Sequence, residues 1–300
     1  MDKLHTPGLV RSLTEKYGFR VSKSLGQNFL MDQHIVDQII KGSNIDEASL
    51  VIEIGPGLGV LTSAAAKKAG KVVAIEIDKK LLPILKETLG EYPNVEVIQG
   101  DILKTDLLPI LEQNQKVGGR NRESIRVMGN LPYYITTPII MKLLEERLPL
   151  SSITIMMQKE VGERIAAQPG TKAYGALSLA VQYYATVTQV SKVSREVFFP
   201  KPNVDSIVLR LDLRKEAPVS LENEQLFFDV IKAGFSQRRK TLRNTLSGLA
   251  SLSREELEEA MEAAGIDPGR RGETLSMEEF AALSNQIDER SSSKLPGGSI

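Results

Sequence analysis

The chain has 300 residues, is 41% hydrophobic and contains no cysteine. That composition suits the core of one large or two smaller domains and excludes disulfides, thiol nucleophiles and thiolate metal sites. Lys plus Arg (38) equals Asp plus Glu (38), so a polyanionic partner would have to be met by local patches, not by net charge.

The two histidines, His5 and His34, are far apart in sequence, and no metal site is expected. No stretch has the apolar length of a signal peptide or a membrane span, so the expectation is a cytoplasmic protein with no membrane partner. Two basic patches stand out. One is Lys3, Arg11, Lys16, Arg20 and Lys23; the other is Arg238, Arg239, Lys240 and Arg243, with no acid between Phe235 and Thr245. Either patch alone is most simply a solvated face.

In chain order, Thr6-Pro7 predicts the start of a short helix to about Tyr17. A basic loop with a glycine follows, and Asp32 then caps a helix whose Ile35, Val36, Ile39 and Ile40 share one face. From Leu50 the pattern becomes strand, helix, strand. Val51 to Ile54, Val72 to Ile77, Val95 to Ile98, Ile125 to Met128 and Ile153 to Met157 are short runs rich in Val, Ile and Met. Such runs alternating with helices predict a parallel sheet covered on both faces, with ligands at the carboxyl ends of its strands. The polar stretch Gln113 to Ser124 reads as a surface loop. Val187 to Val193 and Ser206 to Leu213 read as further strands, and from Leu221 onward only helices are predicted. The expected division is a catalytic domain over 1–213, a helical domain over 214–288 and a disordered tail over 289–300.

The organising stretch is Val51-Ile52-Glu53-Ile54-Gly55-Pro56-Gly57-Leu58-Gly59. Alternate glycines let backbone approach a ligand closely, and the spacing is not that of a dinucleotide fingerprint, because Val60 stands where its last glycine belongs. Glu76 ends the next strand, where an acid can accept from two ribose hydroxyls, and Asp101 follows the third, where an acid suits an exocyclic adenine amine. Each acid could instead cap the helix after it. Glycines and acids in this order favour an adenosine pocket.

The fourth strand ends Asn130-Leu131-Pro132-Tyr133. An adenine N6 amine is a poor nucleophile because its lone pair is delocalised into the ring. The Asn130 side-chain carbonyl and the Leu131 backbone carbonyl could each accept one N6 hydrogen and draw the nitrogen toward tetrahedral geometry. Pro132 fixes the turn, and Tyr133 can stack on the base.

These segments resemble the class I S-adenosylmethionine-dependent methyltransferases that act on adenine N6. Gln27-Asn28-Phe29-Leu30, Asn130 to Pro138 and Phe199 to Ser206 are similar, more narrowly, to the ribosomal RNA adenine dimethyltransferases. The stretches Phe235 to Asn244 and Gly265 to Leu275 resemble the branch that dimethylates two adjacent adenines near the 3′ end of small-subunit ribosomal RNA. The resemblance implies an α/β, Rossmann-like sheet of seven strands in the order 3-2-1-4-5-7-6, the seventh antiparallel, followed by a small α-helical domain. It implies S-adenosyl-L-methionine as cofactor, held by Asn28, Leu30, Gly55, Gly57, Glu76, Asp101 and Asn130. Asn130, Leu131, Pro132 and Tyr133 would carry the reaction, with Phe198 or Phe199 facing Tyr133 across a flipped adenine and Phe199 the candidate. Arg238, Arg239, Lys240 and Arg243 would contact RNA. The implied partners are small-subunit ribosomal RNA and the immature small ribosomal subunit, met by a monomer. Tyr134 stands where relatives often carry Asn. Three alternatives stay open: the large-subunit resistance branch, an adenine-specific DNA methyltransferase, and a factor that mainly binds immature subunits.

Overall fold

The computed structural model describes residues 6–22, 25–118 and 124–293. Lys3, His5 and Lys23, named above, and the tail from 294 lie outside them. Contacts divide the chain into two compact units, Met1–Gly162 with Thr186–Leu213, and Glu163–Ala185 with Arg214–Ile300.

The first unit opens with α1 (Pro7–Lys16) and α2 (Gln33–Gly42). Asp32 caps α2 by accepting from Ile35 N at 3.0 Å. Strands and helices then alternate: β1 (Leu50–Ile54), α3 (Val60–Ala66), β2 (Lys71–Glu76), α4 (Leu82–Thr88), β3 (Val95–Gln99), α5 (Leu108–Gly118), β4 (Ile125–Asn130), α6 (Thr136–Glu145), β5 (Ser152–Gln158) and α7 (Lys159–Ile165). After α8 (Ala176–Tyr184), β6 (Ala185–Val193) and β7 (Ser206–Leu213) complete the sheet.

The strand order is β3-β2-β1-β4-β5-β7-β6, as the resemblance implies. β1 pairs in parallel with β2 and β4, Ile54 standing opposite Ile75 and Gly129. β7 runs antiparallel to β5, Ser206 opposite Gln158. All five residues of β1 are buried, as a central strand covered on both faces requires. Val36, Ile39 and Ile40 of α2 pack with Leu61 and Ala65 of α3, Val51, Val72 and Met128. Burying each large aliphatic side chain of that cluster contributes roughly 1.5–3 kcal/mol relative to leaving it in water. The effect is to hold the carboxyl ends of β1, β2 and β4 rigidly side by side.

The second unit is helical: α8, α9 (Glu224–Gly234), α10 (Leu242–Thr245), α11 (Arg254–Ala263) and α12 (Met277–Ser292). Phe227, Val230, Leu257, Met261, Phe280 and Leu283 are buried together. Ser253 with Glu256 and Ser276 with Glu279 form capping boxes that start α11 and α12. The start of α10 is tied to the loop before α12, Leu242 N donating to Arg270 O at 2.8 Å and Arg243 N to Pro268 O at 3.2 Å.

Three boundaries differ from expectation. Residues 163–185 fall in the second unit, because Tyr174, Leu179 and Tyr183 bury with Phe227 and Phe280. α5 continues through Gln113 to Gly118, since a polar run of good helix formers need not be a loop; the rest of that stretch, 119–123, lies outside the described residues. α12 runs to Ser292, past the expected tail boundary, with Arg290 hydrogen-bonded to Gln286 one turn earlier. A fourth feature had no sequence signal: Phe29–Leu30 pairs antiparallel with Phe198–Phe199. No helix among the described residues is long and apolar enough to cross a membrane.

Candidate active site

A cleft opens at the carboxyl ends of β1, β2 and β4, lined by the segment Leu25–Leu30, Glu53, the glycine turn, Glu76 and Asn130–Tyr133. Gly55, Gly57 and Gly59 have φ of +68°, +60° and +87°, a region that favours glycine. They differ in what surrounds them. A Cβ on Gly59 would lie 2.9 Å from Leu89, and one on Gly57 3.1 Å from Phe29, whereas nothing stands within 4 Å of one on Gly55. Gly59 and Gly57 permit packing, and Gly55 leaves space in the cleft wall.

Glu76 is 4% exposed. Its carboxylate accepts from Asp78 N at 2.7 Å and, at 3.4 Å, from Gly57 N, joining the end of β2 to the glycine turn. Burial pushes its carboxyl up to about 7 against those backbone bonds. Glu53 is a residue the sequence reading passed over. It is 1% exposed and lines the cleft. Burial raises its carboxyl to about 8, opposed by the Thr62 hydroxyl and reinforced by the charge of Glu76. Its Oε2 and the Thr62 hydroxyl nevertheless lack a well-formed hydrogen bond. An acid inside an otherwise apolar central strand was the signal that could have found it.

Asp101 is not brought into the cleft lining. Its Oδ1 accepts from Leu103 N at 3.0 Å, so one carboxylate oxygen caps the following turn, and Lys104 Nζ lies 3.6 Å from the other. It stands next to the pocket's edge, because Gly100 N donates to the backbone carbonyl of Glu76 at 2.9 Å.

The segment Leu25–Leu30 crosses the cleft as a strap. Gln27 accepts from Ser22 N at 2.8 Å and donates to Asp78 Oδ2 at 2.9 Å, fastening the strap near Glu76. At the next residue Asn130 Nδ2 donates to the Asn28 backbone carbonyl at 2.8 Å. That bond fixes the Asn130 amide, leaving Oδ1 as the free acceptor. Gly129 brings Asn130 close, since a Cβ there would sit 2.6 Å from the Ile54 carbonyl. Leu131 N is held by Met156 O at 3.2 Å, and Pro132 O accepts from Ile135 N and the Thr136 hydroxyl. The Tyr133 hydroxyl bonds Ser206 Oγ at 2.8 Å, and burial raises its pKa above the ordinary tyrosine value, so it stays protonated.

Burial separates the two phenylalanines. Phe198 is 5% exposed and belongs to the core with Val36 and Val208, whereas Phe199 is 48% exposed. Tyr134, 58% exposed, lies against the strap; a Cβ on Gly26 would be 3.4 Å from its ring.

In the second unit the four basic candidates divide. Arg238 pairs with Glu273 at 3.3 Å and donates to the Lys172 carbonyl. Arg243 Nε lies 2.9 Å from Glu258, which also holds Arg254. Arg239 and Lys240 are exposed, and among the described residues neither makes an ion pair.

Comparison with known proteins agrees with this geometry. "Ribosomal RNA small subunit methyltransferase A" of Alkaliphilus oremlandii is 52% identical over 291 residues, 97% of this chain and 100% of that protein. A dimethyladenosine transferase from Plasmodium falciparum superposes with a TM-score of 0.71 at 26% identity, covering 87% of this chain and 98% of that one. The 23S rRNA methyltransferase ErmE gives 0.65 at 26% identity, with 87% and 99% coverage. Residues 18–289, which include the strap, the glycine turn, the Asn130 turn and the basic loops, match the family described as ribosomal RNA adenine dimethylase, and the chain belongs to that family.

Proposed function

We propose that the chain transfers methyl groups from S-adenosylmethionine to N6 of adenine in small-subunit ribosomal RNA, twice on each target. The observation that carries this reading is the Asn130 amide, which gives one of its two N–H groups to the strap and leaves its oxygen for an amine. The methyltransferase A relative shares half of the sequence along its whole length, against 26% for the 23S enzyme, which favours the small subunit over the large.

The cleft fits the cofactor by its chemistry. The open wall at Gly55 admits a backbone-hugging ligand, Glu76 offers carboxylate oxygens to ribose hydroxyls, and the Glu53 carboxyl, whose Oε2 lacks a hydrogen bond, suits a cationic amino group. Asn28 and Leu30, from the strap, would border the methionine portion. The remaining lone pairs of Asp101 would meet the adenine amine at the pocket's edge. When bound, S-adenosylmethionine supplies an electrophilic methyl on sulfonium.

The chain's residues do the rest. Phe199 and Tyr133 would hold a flipped adenine between their rings. Asn130 Oδ1 and the Leu131 carbonyl would accept the two N6 hydrogens, turning the nitrogen lone pair toward the methyl carbon. Bound S-adenosylmethionine would supply the methyl carbon and keep the C–S electron pair, and the N6 proton would leave for solvent. No protein base is needed, and the protonated Tyr133 is not one.

Arg239 and Lys240 are the residues proposed to meet RNA phosphates, with Arg238 and Arg243 shaping the loop that presents them. The substrate would be an immature small subunit in the cytoplasm, bound by a monomer. The test is transfer of labelled methyl from S-adenosylmethionine to unmethylated small-subunit particles, large-subunit RNA and DNA in parallel. Label in N6,N6-dimethyladenosine from the small-subunit sample alone is expected. Label only in large-subunit RNA or DNA contradicts the reading, and tight particle binding without label makes the chain a binding factor.

A further inference from the structure

Tyr133 lines the cleft from the turn after β4, and its ring is tethered through its hydroxyl. Its hydroxyl shares the 2.8 Å bond with Ser206. Ser206 is 1% exposed and is the first residue of β7, opposite Gln158 at the end of β5. The residue before it is anchored twice: the Asp205 carbonyl accepts from Lys159 N, and its carboxylate accepts from Arg195 N, both at 3.0 Å. Arg195 also donates to the Asn203 carbonyl at 2.9 Å. The hydroxyl that holds Tyr133 therefore sits on a fixed point of the loop that starts at Phe199.

We infer that Ser206 is a positioning residue for the second methyl transfer, fixing the Tyr133 ring so that a singly methylated adenine stays aligned. The inference rests on the adenine-dimethylation reading above. Adenine offers two N6 hydrogens to two acceptors, Asn130 Oδ1 and the Leu131 carbonyl. After one transfer a single hydrogen remains, so one of the two bonds that orient the amine is gone. Stacking must then supply more of the alignment, and a ring free to tilt supplies less of it. Loss of the Ser206–Tyr133 bond thus weighs more on the second step than on the first.

The experiment uses the full chain, unmethylated small-subunit particles and time-resolved nucleoside mass spectrometry, which yields a rate for each transfer. Ser206→Ala and Tyr133→Phe each delete one half of the bond and keep the strand or the ring. Each is expected to slow the second transfer roughly fivefold to tenfold more than the first, so that N6-methyladenosine accumulates. The double variant should be no worse than either single one, and Ser206→Thr should return the ratio toward wild type. Equal slowing of both steps, additive losses, or an altered ratio in Ser206→Ala without one in Tyr133→Phe would overturn the inference, because a packing defect alone gives those patterns. A wild-type protein that makes no dimethyladenosine overturns the functional reading itself, and is told apart by that control.

Discussion

The side-chain amide of Asn130 is tied to the backbone carbonyl of Asn28 at 2.8 Å, across 102 positions of sequence. The catalytic turn and the strap over the cleft are thus one hydrogen-bonded assembly. Asn130→Asp keeps the shape but replaces the donor with an oxygen facing a carbonyl, so the strap is repelled. Both cofactor affinity and transfer rate should fall, each by about tenfold or more. Calorimetry and single-turnover rates check this, and an unchanged cofactor affinity would show that the strap does not depend on the bond.

A second tether of the strap joins Gln27 to Asp78. Gln27→Ala should raise the KM for S-adenosylmethionine roughly fivefold to tenfold with little change in kcat, because a hydrogen bond distant from the reacting atoms holds ground state and transition state alike. A fall in kcat at constant KM would contradict this account.

Glu53 and Glu76 give a pH dependence with a definite sign. Their carboxyls are raised to about 8 and about 7, so between the ordinary carboxyl range and those values the folded protein holds protons that the unfolded chain has released. Their contribution to stability therefore declines as pH rises through that window, and levels off above it. Cofactor binding runs the other way, since an ammonium and ribose hydroxyls prefer the ionised acids. Affinity should tighten from a pH of about 6 to about 8, by up to about tenfold per unit, and Glu53→Gln should flatten much of the slope. A pH-independent wild-type affinity would exclude the assigned roles.

Gly129 is a packing requirement of the site. Its Cβ position lies 2.6 Å from a backbone carbonyl of the neighbouring strand, which cannot move aside without opening the sheet. Gly129→Ala should cost about 1–3 kcal/mol of stability and displace Asn130, lowering activity beyond the loss of folded protein. Denaturant midpoints and activity per folded molecule separate the two effects.

The basic loop gives a contrast between neighbours. Arg239→Ala or Lys240→Ala should leave stability unchanged and reduce the slope of log affinity for RNA against log salt by about 1 each. Arg243→Ala should destabilise the helical unit by leaving Glu258 with one partner fewer. Equal salt slopes for all variants and wild type would remove the loop from the RNA interface.

The fold was largely legible because its central strands are mostly apolar runs of the length that a doubly covered parallel sheet needs, and the family resemblance implied their order. Gly55, Glu76 and Asn130 were legible because they end or follow such strands. The pairing of Phe29–Leu30 with Phe198–Phe199 was not, since two-residue strands carry no periodicity and their partners are far apart in sequence. Burial that distinguishes Phe198 from Phe199 depends on that pairing, and so was equally hidden. Arg238 and Arg243 looked like Arg239 and Lys240 because composition does not reveal an ion pair with Glu273 or Glu258. Asp101 showed the ambiguity of a strand-end acid: it caps a turn while standing beside the pocket.

The most direct test of the central claim is the single-turnover rate of methyl transfer in Asn130→Ala, with S-adenosylmethionine and small-subunit particles bound beforehand and both affinities measured. If the oriented amide acceptor activates adenine N6, the rate should drop about a hundredfold to a thousandfold, well beyond the loss in either affinity. A rate within a few-fold of wild type, or a loss accounted for entirely by weaker cofactor binding, would contradict the account.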